Sequence, residues 1–463
     1  MVHLGRRAAI ALVSAVATLA PLAMIEAAPA TATAPSAAAR AASPNLAVDP
    51  AATLAPGVTI APAPDHYVPP MGLLFNHPFF TNRGQITTHV WRMIRSTEPG
   101  QSIRLAAFSV GVKRVVDALI AARNRGVRVQ VIGDSHLVDP KDDLYSKGFV
   151  RLRRTIGRDR TQPSWVYVCD HSCRGNGGNL HMKMYLFSLV TNTPNVVVTG
   201  SANLTRLAVA GQWNHAKTVS DPQVYSQMNS LFDQLAADVP VAVPNIEWDN
   251  MMGHTWIFPF PTMTELTDPA VGVLNKVQCL STNPDGTTRR TKLRFGMYTW
   301  SDERGIWLSS VVRNLWDQGC DIAIETSIMS RNVRARLTAR YGRGPIPIRK
   351  VGTWDPLTKE ILTYDHHKWF TIDGATIDNP NAQIVVSGSC NFTNLGKYSD
   401  EMTTVYESAP DVASYNADFA VIWREKHTFR LGPLRTIAAQ RAALSDYSDP
   451  VPGVGKLWRA EPD

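Results

Sequence analysis

The chain has 463 residues, 44% hydrophobic and 19% charged, with a formal net charge of +8. That length can bury one large core or two, and the composition is that of an ordinary globular chain, not a disordered one. The positive balance favours anionic partners, and nucleic acid, anionic lipid headgroups and phosphorylated small molecules all fit it.

In chain order, residues 1–30 read as an export signal. Arg6 and Arg7 give a positive start, residues 8–24 are almost without polarity, and A-x-A patterns follow at 28–30 and 30–32. Pro21 and the short apolar run argue against a membrane span, which needs about 20 residues. An uncleaved anchor is the alternative, and the Arg6-Arg7 pair alone is weak support for twin-arginine export. Residues 31–60 read as a flexible leader, and the expected location is extracellular.

The rest divides into halves, 61–245 and 246–463, that give the same signals in the same order. In the first half, residues 103–109 read as a strand and 112–125 as a helix. Val115, Val116, Leu119 and Ile120 share one face of that helix, Gly126 ends it, and 127–132 form the next strand. Residues 181–190 and 195–200 read as two further strands, and Val224, Met228, Leu231, Phe232 and Leu235 mark a closing helix. The second half repeats this with a strand at 293–298, a helix at 303–318 ended by Gly319, and strands at 320–325, 366–373 and 383–388. Val412, Tyr415, Phe419, Ile422 and Trp423 mark its closing helix. The joining segment holds an apolar run at 256–261, read as the strand that opens the second sheet in preference to a lipid-touching loop. The expected class is α/β, with mixed, largely parallel sheets flanked by helices.

Five cysteines in an exported chain point to disulfides, with Cys169 bonded to Cys173, Cys279 to Cys320, and Cys390 left free. A zinc site at Cys169, His171 and Cys173 is the rival, and it lacks a fourth ligand.

His181-Met182-Lys183 precedes Gly200-Ser201-Ala202-Asn203-Leu204-Thr205, and His366-His367-Lys368 precedes Gly388-Ser389-Cys390-Asn391-Phe392-Thr393. On a strand, side chains two apart share a face, so His181 pairs with Lys183 and His366 with Lys368. Met182 and Met184 face a core, and His367 points away from His366. The glycine of each Gly-Ser-x-Asn is read as allowing close backbone approach to a ligand, with Ser and Asn supplying short hydrogen-bonding groups. Two imidazoles, two ammonium groups and two amides suit a phosphodiester. One histidine attacks phosphorus, the other protonates the departing oxygen, and the rest hold the phosphoryl oxygens.

The duplicated pattern resembles the phospholipase D superfamily, whose signature is H-x-K-x4-D followed by G-S-x-N. The resemblance spans most of the chain after residue 60. It implies two pseudo-twofold-related α/β halves with the site between them, no metal or other cofactor, and a phosphohistidine intermediate. By motif position it implies His181 as nucleophile and His366 as general acid, with Lys183, Lys368, Asn203 and Asn391 on the phosphate. Ser201, Ser389, Asp373 and Asp400 join them as substrate-binding residues.

Two departures stand out. Ser188 replaces the first motif's aspartate, whereas Asp373 is kept in the second. The second half has Asp400-Glu401 where the family places an acid that orients a histidine, and the first half has Asn214-His215. If the acids cross between halves, Glu401 or Asp400 supports His181, and His366 has no charged partner. The leading expectation is a secreted, metal-independent phosphodiesterase hydrolysing phospholipids, with headgroup exchange when an alcohol intercepts the intermediate. A nuclease using the same residues and a non-catalytic anion- or membrane-binding homologue are the alternatives. The Arg-rich runs at 151–160 and 331–350 fit a nucleic-acid backbone or an anionic membrane, though such runs are more often solvated faces. No obligate protein partner is evident.

Overall fold

Strand, amphipathic helix and strand recur twice along the chain, and each time the helix ends the same way. The computed structural model describes residues 65–282, 285–355, 357, 361–434 and 436. The expected signal and leader, up to residue 60, lie outside them. The described residues belong to one compact unit running from Ile60 to Asp463.

The Lys113–Asn124 helix buries Val115, Val116, Ala118, Leu119 and Ala122, the 3.6-residue stripe expected of a helix lying on a sheet. Burying each Val or Leu of this stripe contributes about 1.5–3 kcal/mol. Gly126 follows at φ 92°, and Val127 N–H reaches back to Ala122 O. The Asp302–Asp317 helix carries Asp302 and Glu303 in its first turn, where acids favour the helix dipole, and is followed by Gly319 at φ 109°.

Each half builds a mixed sheet. In the first, Ser102–Ala107 pairs in parallel with Arg128–Asp134, which pairs in parallel with Trp165–Cys169. On its other side the strands Lys183–Val190, Thr193–Gly200, Gln212–Ser220 and Gly72–Asn76 follow, all antiparallel. In the second, Lys292–Met297, Asp321–Thr326 and Ile348–Trp354 are parallel. Lys368–Thr376, Ala382–Gly388, Met402–Glu407 and Gly253–Ile257 continue antiparallel. The edge strand is Ile246–Asn250, paired with Gly253–Ile257, so the expected strand at 256–261 holds only to Ile257 and does not open the sheet. Met182 and Met184 sit in a core with Met402, Ile257 and the Pro222–Ala237 helix, on the opposite side from the core beneath the Lys113–Asn124 helix.

Backbone bonds stitch the halves together. The Ile361–Asp365 strand pairs in parallel with the start of Gln212–Ser220. His366 N–H donates to Trp213 O at 2.9 Å, and His181 N–H donates to Asp400 O at 3.1 Å. Cys169–Cys173 and Cys279–Cys320 are disulfide-bonded, and Cys390 is free and buried.

Candidate active site

His181 and His366 each lie two residues before a strand, on the extended segments that cross to the other half. The two lysines that follow are matched in detail. Lys183 Nζ donates to His181 O, and Lys368 Nζ donates to His366 O at 2.6 Å. Lys183 lies over the Phe108 ring and Lys368 over Tyr298, at 5.6 and 4.8 Å from the centroids. Those rings also flank His181 and His366, each at 5.1 Å. All four motif side chains are buried.

Each histidine is oriented by the opposite half. His181 Nδ1–H donates to Glu401 Oε1 at 2.6 Å, and Ser389 Oγ donates to the other oxygen of that carboxylate. His366 Nδ1–H donates to Asn214 Oδ1 at 2.9 Å, and Ser201 Oγ donates to the same atom at 2.9 Å. In both neutral rings the lone pair is then on Nε2. Burial lowers both imidazole pKa values. For His181 the Glu401 carboxylate opposes that shift. His366 has Lys368, Lys183 and His181 around it and its ring on the neutral Asn214 amide, and burial with these cations takes it well below the ordinary value.

Several expected roles are corrected by this geometry. Ser201 and Ser389 are not aimed at substrate: each also accepts a backbone N–H, from His215 and Met402, and so clamps the group that orients a histidine. Gly200 and Gly388 serve strand packing, since a Cβ there would sit 2.3 Å from His215 O and 2.0 Å from Met402 O. Asp373 lies five residues beyond Lys368, roughly 17 Å along the strand at 3.3 Å per residue. Its carboxylate is engaged by Arg289 at 2.6 Å and Gln383 at 2.7 Å. Ser188, its first-half counterpart, bonds to Gln101 and the Ser102 backbone. Neither position reaches the imidazoles.

Asp400 contributes its carbonyl to the backbone of His181 and Met182, while its carboxylate accepts from Cys173 N–H at 2.6 Å. Burial raises that carboxyl to about 7. Of the two acids considered, Glu401 is therefore the one at His181. The ladder also shifts the expected correspondence by one residue. Ser201 N–H donates to His215 O as Ser389 N–H donates to Met402 O, which makes Asn214 the counterpart of Glu401.

Asn203 Oδ1 accepts Ser109 N–H at 3.2 Å. Asn391 lines a small cavity with His181, Glu401, Thr299, Thr393 and Asn179. His367 turns away from His366 and pairs with Asp365 at 3.0 Å. Among the described residues, the set of His, Cys and acids close enough to hold a metal is Cys169, Cys173 and Asp238, and its two sulfurs are bonded to each other.

Residue-by-residue reading of the motifs missed a further layer. Ser109 Oγ bonds to His136 Nε2 at 3.0 Å, and His136 Nδ1–H donates to Asp134 at 2.8 Å. Asp134 also accepts Leu180 N–H at 3.1 Å, just ahead of the first histidine. The available signal was an aromatic–hydroxyl pair after the first strand of each repeat, Phe108-Ser109 and Tyr298-Thr299.

A family model described as "Cardiolipin synthase, PLD-like domain" matches residues 90–236, the stretch that carries His181, Lys183 and Asn203. The fold is shared with phosphatidylserine synthase from Haemophilus influenzae, with TM-score 0.51, 10% identity, and coverage of 80% of this chain and 94% of that one. Residues 90–236 thus form a PLD-like domain, the family that the duplicated motif resembles. Weaker likenesses are to polyphosphate kinase from Porphyromonas gingivalis (TM-score 0.49, 13% identity, 80% of this chain) and to Nuc of Salmonella typhimurium. Nuc gives TM-score 0.27 and 19% identity, over 36% of this chain and 94% of its own. The chain spans about half the length of the polyphosphate kinase, 54%. No curated protein matches it. Members of the phospholipase D superfamily act on phosphodiesters.

Proposed function

We propose that this phospholipase D homologue is a phosphodiesterase working through a phosphohistidine. The reading is carried by the unequal orientation of its two histidines, one on Glu401 and one on Asn214. The carboxylate beside His181 stabilises the positive charge its ring gains as Nε2 bonds to phosphorus. The P–O bond to the leaving group breaks as His366 gives that oxygen its proton. Neutral His366 then takes a proton from water, the water oxygen bonds to phosphorus, and the P–N bond breaks to return His181. Lys183 and Lys368 supply the positive charge that the phosphoryl oxygens require, as a metal ion would elsewhere. An alcohol in place of water gives transfer.

Among phosphodiesters, phospholipid is the substrate proposed. Leu395 and Tyr398 stay 38% and 42% exposed, and Leu395 lines the cavity at His181, so apolar surface lies at its edge. The arginine-rich runs are engaged within the fold only in part, with Arg154, Arg158, Arg331 and Arg340 exposed. Arg151 pairs with Asp117, Arg334 donates to Gly432 O, Arg343 to Cys320 O, and Arg349 stacks on Trp423. The family model is named for cardiolipin synthase and the structural neighbour for phosphatidylserine synthase, both phospholipid names, which supports this choice. Export from the cell is proposed with it, from the sequence of residues 1–30.

The test is product formation in excess chelator by the protein and its His181→Asn variant, on phosphatidylcholine, phosphatidylethanolamine and single-stranded DNA. Lipid turnover that falls at least about a thousandfold in the variant is expected for loss of a nucleophile. Cleavage of DNA alone would make the protein a nuclease, and no turnover on any of them would sink the reading for these substrates.

A further inference from the structure

The two repeats place a hydroxyl at the same point, one residue beyond the ring that flanks each histidine. Leu204 N–H donates to Ser109 O, and Phe392 N–H donates to Thr299 O, so Ser109 and Thr299 stand in equivalent positions beside Asn203 and Asn391. Their side chains differ in state. Ser109 Oγ is bound to His136, and its N–H holds Asn203. Thr299 Oγ1 is buried without a hydrogen-bond partner, and so is Asn391 Oδ1. Thr299 is 5% exposed and Asn391 4%, and both line the cavity that contains His181. An orphaned buried hydroxyl is costly, and two orphans on residues lining one cavity beside a candidate nucleophile mark where a ligand's polar atoms go.

We propose that Thr299 is a substrate-contacting residue, whose hydroxyl donates a hydrogen bond to an oxygen on the phosphorus held at His181, alongside the Asn391 amide. This rests on the phosphodiesterase reading for its substrate and on the cavity for its geometry. Phosphoryl oxygens only accept, a hydroxyl rotates to donate, and the Asn391 amide offers N–H as readily as oxygen. The lysines come in a symmetric pair, whereas this neutral donor has no free equivalent on the Ser109 side. The oxygen-binding set is therefore one-sided, which fixes which oxygen of a diester faces the second half.

The experiment uses the full chain with Thr299→Val, which keeps the shape and loses the hydroxyl, and Thr299→Ser, which keeps the hydroxyl. Two quantities are read in chelator: the dissociation constant of inorganic phosphate, and kcat/KM on bis(p-nitrophenyl) phosphate. Thr299→Val is expected to weaken phosphate by about tenfold and to lower kcat/KM at least as much, the scale of one lost hydrogen bond. Thr299→Ser is expected within about threefold of the parent. Thermal melting confirms folding, with Thr299→Ala replacing Thr299→Val should that variant not fold. Parental behaviour in the hydroxyl-less variant overturns the proposal. Phosphate binding that weakens in it, from a parent that turns over no diester, keeps the contact and discards the phosphodiesterase reading. A parent that neither binds phosphate nor turns over diester discards both.

Discussion

Asn214 takes the Nδ1–H of His366 where Glu401 takes that of His181, and a neutral amide does little to keep a proton on the ring. His366 is lowered well below the ordinary imidazole value by burial and then by the lysines, so its acid form is scarce in the free protein. An entering phosphodiester brings negative charge that offsets the lysines and restores that form. Asn214→Asp sets a carboxylate on Nδ1 and raises the His366 pKa. Since kcat/KM is lost as the free enzyme's general acid deprotonates, its alkaline limb is expected to move to higher pH, by about a unit or more. A limb that stays in place in the full pH profile would remove His366 from the acid role.

On the scale of single elements, the loop from Cys173 to Leu180 fastens the first half to the second. Arg174 is fully buried and donates to Phe258 O and Pro244 O, Asn179 bonds to Ser399, and Cys173 N–H bonds to the Asp400 carboxylate. Asp400 has its folded pKa raised to about 7 by burial. Its contribution to stability is therefore fully present below the ordinary carboxyl value near 4 and is lost as pH rises to about 7. Asp400→Asn cannot ionise. Its melting temperature relative to the parent is expected to be higher at pH 8 than at pH 5, and an unchanged difference would show that Asp400 is already charged in the folded protein. The sequence shows the acid pair 400–401 but not which member turns to the histidine. Alternation says that the two point apart, and only their distant partners, His181 for Glu401 and the Cys173 N–H for Asp400, say which way. The same one-residue ambiguity hid Asn214 behind His215. His-x-Lys and Gly-Ser-x-Asn were legible because each keeps fixed spacing within one element. Ser109, His136 and Thr299 were not, because they lie outside both motifs and meet them only through contacts between segments far apart in the chain. The Asp373 position misled because a motif aspartate carries no mark of whether it serves the sheet or the substrate.

For the whole molecule, the two halves are completed by each other more than by themselves. The nucleophile's backbone hangs from Asp400 and its ring from Glu401, while His366 hangs from Trp213 and Asn214. The Ile361–Asp365 strand carries the pairing across the boundary. Covalent continuity between the halves then becomes dispensable. Between the closing helix of the first half, Pro222–Ala237, and the strand Ile246–Asn250, the chain is exposed, with Val243 72% accessible. Anchors flank that point, Val241 N–H on Arg174 O before it and Pro244 O on Arg174 after it. A chain cut after Val243 is expected to stay together through gel filtration and keep most of its turnover. Pieces that separate would mean the peptide link is required to hold them. A protein that survives such a cut could equally be made as two polypeptides that assemble the site between them.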